Sequence, residues 1–305
     1  MRYHFRQVVL LIWLLVCIWP AAVLAKVPVF VSIVPQRYFV EQIGGKHVDV
    51  QVMVLPGASP TTYEPKPRQM AAITKATIYF SIGVPFEAVW LKKLVASNKR
   101  LRIVPMDRGI QKRAMTSFHS HDETELHTGG QALLHGDGGT MAHGVPDPHI
   151  WLSPPLVILQ ARTVLIALKD IDPENGSAHE ANFRAFILQV LALDKELRRL
   201  LKPYHGQRFM VFNPAWGYFA DTYHLKQIPV EMEGKSPKPA QLKTLITNAR
   251  KHRIKVLFLQ PQASSKIAEQ VAREIGAQVT WADPLAMGWA ENLRDVAGKI
   301  HQAME

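Results

Sequence analysis

The chain has 305 residues, 48% of them hydrophobic, with 36 Lys and Arg against 25 Asp and Glu, a formal charge of +11. That much apolar sequence buries one large core or two ordinary ones. The basic surplus favours anionic partners or membranes, but the lysines and arginines are scattered and form no aromatic-interleaved patch, which argues against nucleic acid as a partner.

Arg2 and Arg6 precede an apolar run from 8 to 19, and Pro20 and the small residues at 21–25 suit cleavage after Ala25. The run is too short to span a bilayer comfortably, so 1–25 reads as a cleavable signal peptide and the protein as periplasmic. The only cysteine, Cys17, lies in this segment, and Val16 before it is a poor match to the small residue that lipid attachment wants. Cleavage leaves 34 basic against 25 acidic residues, +9, and no thiol, which excludes a Cys-type zinc site or a nucleophilic cysteine.

Segments 27–33 and 48–55 are β-branched runs bounded by turn residues, and 35–43 between them reads as a short helix closed by Gly44 and Gly45. A helix over 68–75, a strand over 77–82, a helix over 86–97 and a short strand over 102–105 follow. Helices are then expected over 154–169 and 178–201, the second with Phe183, Phe186, Ile187, Val190, Leu193, Leu197 and Leu200 on its apolar face. Strands over 208–212 and 254–259, a helix over 264–275 and a strand over 278–282 complete the pattern. Strands alternating with helices imply parallel sheets with right-handed crossovers. The expected fold is α/β: two (β/α) lobes with parallel sheets, joined by one long rigid helix and enclosing a ligand cleft. The expected boundaries are 26–177 for the first lobe, including a His-rich loop at 115–146, 178–202 for the connecting helix and 203–305 for the second lobe.

Six of the thirteen histidines fall between His119 and His149. A glycine-rich tract bearing His119, His121, His127, His135 and His143 can bring several imidazoles to one zinc, copper or nickel ion. His149 differs, because it stands in Asp147-Pro148-His149-Ile150-Trp151-Leu152, where an ordered segment begins. Residues just after strands face the crevice of such folds, which singles out 56–65, 147–152, 213–219 and 283–285. Asn-Pro at 213 and Asp-Pro at 283 are also ordinary turn starters. Tyr63, Trp151, Trp216, Tyr218 and Phe219 are expected to pack beneath the cleft.

Several motifs in one order, PGASPTTYEPKP, DPHIWLSP, FNPAWGYFADTYHL, EGKSPKPAQL, LFLQPQASS and ADPL, make the chain resemble the substrate-binding receptors of zinc and manganese ABC importers, the cluster A-I binding proteins. The resemblance covers essentially the whole chain after residue 25. It implies capture of a divalent metal, Zn2+ first and Mn2+ or another as alternatives, for delivery to an ABC transporter permease in the cytoplasmic membrane, by a protein expected to be monomeric. It also assigns ligand positions. His149 and Asp283 match two of them, whereas Thr61 and Asn213 stand where zinc members carry histidines, and Gln260 replaces a glutamate.

Thr and Asn are weak donors beside the strong nitrogen, sulfur or carboxylate ligands of a closed zinc site. Three readings follow: the loop supplies imidazoles, His143 being nearest in sequence and His119 and His121 further off; the cleft takes another metal, a chelated metal or a small anion, with Lys235 and Lys238 adding positive charge; or the protein buffers metal or serves an interaction. Catalysis is not expected, because the chain has no His-Glu-x-x-His helix, Gly-x-Ser-x-Gly elbow, phosphate-binding loop or cysteine nucleophile.

Overall fold

The computed structural model describes residues 25–115, 145–231, 237–261 and 265–305. The apolar leader, Lys235, and His119, His121, His127, His135 and His143 lie outside the described residues.

Two four-stranded parallel sheets carry the fold. The first contains β1 (Val27–Val31), β2 (Val48–Val52), β3 (Ile78–Ser81) and β4 (Arg102–Pro105) in the order β2-β1-β3-β4. The second contains β5 (Arg208–Val211), β6 (Lys226–Pro229), β7 (Val256–Leu259) and β8 (Gln278–Trp281) in the order β6-β5-β7-β8. Interior strands β3 and β7 are buried throughout, as expected of parallel strands covered on both faces, while edge strand β2 alternates buried and exposed positions. In each sheet the strand order reverses beside the first strand, which opens a crevice outside the carboxyl ends.

The helices are α1 (Val34–Gly44), α2 (Pro67–Ile73), α3 (Pro85–Ser97), α4 (Pro154–Ile171), α5 (Gly176–Leu201), α6 (Gly217–Thr222), α7 (Pro239–Lys251), α8 (Ser265–Ile275) and α9 (Trp289–Met304). At ~1.5 Å per residue, the 26 residues of α5 reach about 39 Å. Its buried face is Phe186, Val190, Leu193, Leu197 and Leu201, with Phe183, Ile187 and Leu200 partly buried beside it. One hydrophobic core runs from Val29 and Phe80 in the first sheet through Phe186 and Leu193 to Val211, Phe258 and Trp289. Across it Phe39 of α1 meets Trp289 of α9 edge to face, with ring centres 5.2 Å apart. A second core around Met210, Leu257, Leu245 and Val271 lies under α7 and α8.

Buried polar groups fix the carboxyl end of the first sheet. Gln36 Oε1 accepts from Ser32 N and Ile33 N, and its amide donates to Phe80 O. Glu87 accepts from Ile82 N at 2.9 Å, Gly83 N at 2.8 Å and the Ser32 hydroxyl. These bonds satisfy the amides of Ser32, Ile33, Ile82 and Gly83 at the ends of β1 and β3.

The sequence pattern misses β6, α6, α7 and α9, and it starts the long helix two residues late. No helix among the described residues is long and apolar enough to cross a membrane.

Candidate metal centre

Asp147 and His149 form the best-defined pair among the candidate site residues. Asp147 is fully buried, and its Oδ1 accepts the His149 backbone N–H at 3.0 Å and faces His149 Nδ1 at 2.7 Å. A carboxylate partner requires Nδ1 to carry the proton, so Nε2 keeps its lone pair, the arrangement by which outer carboxylates prepare histidine for a metal. The imidazole is 16% exposed.

The Asp147 backbone is pinned as firmly. Its N–H donates to Arg113 O at 2.9 Å, and its carbonyl accepts from the Tyr218 hydroxyl at 3.0 Å. Tyr218 in turn accepts from Arg113 N at 3.0 Å; burial pushes this phenol up to about 12, so it remains a donor. The Arg113 guanidinium pairs with Asp221 at 2.6 Å and stands 3.8 Å from the second Asp147 oxygen. Gly217 allows this approach, since a Cβ there would lie 2.6 Å from Arg113 Nη1.

Asp283 follows β8 and belongs to the second lobe, yet it is tied to the His149 segment through two tryptophans. Trp151 Nε1 donates to Pro284 O at 2.7 Å, and Trp289 Nε1 donates to Trp151 O at 2.7 Å. Asp283 Oδ1 accepts from Leu285 N at 2.9 Å, which closes an Asx turn, and its carbonyl accepts from Asn292. Burial raises the Asp283 pKa, and the Leu285 N–H offsets only part of that.

The other matched positions are less committed. Thr61 is exposed on the loop after β2, with its N–H on Ser59 Oγ at 3.3 Å. Asn213 is partly buried after β5, where its carbonyl turns the chain by accepting from Ala215 N. Among the described residues, no three His, Cys, Asp or Glu side chains are grouped to hold one ion. Tyr63, Trp151, Trp216, Tyr218 and Phe219 are all buried.

One carboxylate at the strand ends escapes the sequence reading. Glu231 lies just beyond β6, and its N–H donates to Phe212 O at 2.9 Å, so it stands beside Asn213. It is half buried, and burial raises its pKa. Its only sequence signal is its place after a strand, and β6 is the strand that the sequence pattern misses.

The flanks of the His-rich stretch are paired. Ala114 and Pro146 form an antiparallel bridge, and Met115 N donates to Val145 O at 2.9 Å. The chain therefore leaves and returns at neighbouring points, four residues before His149.

A family model described as zinc-uptake complex component A, periplasmic, matches residues 29–303. The high-affinity zinc uptake system protein ZnuA of Bacillus subtilis is 29% identical over 257 residues, 83% of this chain and 76% of its own. A crystal structure of ZnuA is 40% identical with a TM-score of 0.80, covering 92% of this chain and all of that one. A zinc-bound deletion mutant of ZnuA is 41% identical, also with a TM-score of 0.80, covering 91% of this chain and 98% of that one.

Proposed function

The chain belongs to the family of periplasmic zinc-uptake component A proteins, and from that premise we propose that it captures Zn2+ between its lobes for transfer to an ABC permease in the cytoplasmic membrane. The observation that carries this reading is the Asp147-His149 pair, which leaves Nε2 as an acceptor on a segment tied to the Asp283 loop through Trp151. We assign His149 and Asp283 as the metal ligands; Glu231, beside Asn213, adds negative charge near the strand ends without forming a three-ligand group with them. An imidazole with oxygen donors suits Zn2+ and also admits Mn2+.

The protein's own chemistry is capture without turnover. Asp147 orients the imidazole, while the raised pKa values of Asp283 and Glu231 reflect the cost of holding ionised carboxylates in a partly buried place, a cost that a dication relieves. Because α5, α1 and α9 share one core with both sheets, exchange takes place through small lobe shifts.

A second reading is favoured by the pairing of Met115 with Val145: imidazoles from the intervening segment, His143, His119 or His121 among them, complete the coordination. Zinc titration of wild type, His149→Ala and a 116–144 deletion tests both. A loss of affinity of tenfold or more in His149→Ala is expected under either. Unchanged affinity in His149→Ala, with binding abolished by the deletion, would place the metal outside the cleft.

A further inference from the structure

Three of the described histidines have ring nitrogens held by named partners. His179, fully buried, bonds Asp172 at 2.8 Å and faces Ile43 O; His149 is held by Asp147; His301 bonds the Tyr204 hydroxyl at 2.7 Å and Glu305 at 3.2 Å. His205 and His224 differ. Both are exposed, and their ring centres are 4.7 Å apart at 60°. Among the described residues, no hydrogen bond or ion pair takes up either ring.

The backbone builds this pair deliberately. Gly206 N donates to His224 O at 2.7 Å and Lys226 N to Gln207 O at 2.9 Å, which joins the turn before β5 to the turn before β6. His224 has φ 55°, a left-handed conformation that costs a side-chain-bearing residue about 1–2 kcal/mol and that Gly or Asn adopts more readily. A histidine held there aims its ring at His205.

The spacing of the rings admits a chelate. With metal–nitrogen bonds of ~2.0 Å, each ring centre sits about 3.2 Å from the ion, and two rings at square to tetrahedral angles stand roughly 4.5–5.2 Å apart. The observed separation of 4.7 Å falls within that range.

We propose that His205 and His224 form a second divalent transition-metal site, with water in its remaining positions. It lies at the amino ends of β5 and β6, and the strand separates it from Asn213 and the cleft by about 20 Å at ~3.3 Å per residue. Two imidazoles without a carboxylate select Cu2+, then Ni2+ and Zn2+, over the harder Mn2+. With only two protein ligands the ion stays exchangeable. This site is independent of the cleft and of its assigned ligands.

The test is a titration of the 15N-labelled protein with Cu2+ to saturation, reading paramagnetic loss of backbone amide signals. Signals of residues 204–207 and 222–226 are expected to vanish in wild type. They should persist in His224→Asn, which keeps the left-handed turn, and in His205→Gln, while losses around His149 remain as in wild type. Retention of these signals in wild type at saturation, or equal loss in both variants, overturns the proposal.

Discussion

Replacing Asp147 by Asn asks how His149 is prepared for a metal. The side chain is wholly buried, and one oxygen serves both the His149 N–H at 3.0 Å and Nδ1 at 2.7 Å. Asn keeps the shape and one acceptor, so the turn survives. It loses the charge, however, and charge-assisted hydrogen bonds are about twice as strong as neutral ones. It also sets an NH2 group or a weaker carbonyl against Arg113 Nε, 3.8 Å from the present carboxylate oxygen. Loss of an outer carboxylate typically costs about 10–100-fold in metal affinity, or ~1.4–2.7 kcal/mol. Isothermal titration with Zn2+ should show that rise in Kd for Asp147→Asn. Asp221→Asn is the control: it removes the 2.6 Å partner of Arg113 without touching His149 and should leave Kd within about twofold. Wild-type zinc affinity in Asp147→Asn would refute the argument that this carboxylate sets the tautomer.

Trp151→Phe removes the 2.7 Å bond to Pro284 O and leaves that carbonyl buried and unpaired, so thermal melting should report about 1–3 kcal/mol of lost stability and titration a weaker zinc site; unchanged values in both would sever the proposed link between the loops. Asp283 and Glu231 bind protons more tightly folded than unfolded, so their contribution to stability is present at low pH and falls as pH rises from the ordinary carboxylate range through their raised values. Asp283→Asn, which preserves the acceptor for Leu285 N, should therefore gain stability relative to wild type across that window in the metal-free protein while losing zinc affinity; a flat or opposite difference contradicts the assignment. Deleting 116–144 and joining Met115 to Val145 through Asn-Gly should preserve the fold, because those residues are already paired, and calorimetry should show a melting temperature within a few degrees of wild type.

The α/β class and most elements were legible because their signals are local. The β-branched runs of β1 and β3 and the apolar stripe of α5 need no partner to be recognised. β6 was not, since Lys226-Gln227-Ile228-Pro229 offers a single aliphatic core residue and ends in a proline that only an edge strand tolerates. α7 buries only Leu245 and Ala249 and reads as a polar stretch. At the site, His149 and Asp283 could be named from motifs, and their connection could not, because the bonds between Trp151, Pro284 and Trp289 span more than 130 residues of sequence. Glu231 was hidden with its strand. One histidine on a helix face, such as His179, carries no sequence sign of the Asp172 carboxylate that holds it.

Crystals grown with Zn2+ and measured at the zinc absorption edge locate the ion by its anomalous scattering. A peak is expected within ~2.0–2.2 Å of His149 Nε2 and an Asp283 carboxylate oxygen. Zinc bound elsewhere, with neither residue in contact, would contradict their assignment as ligands.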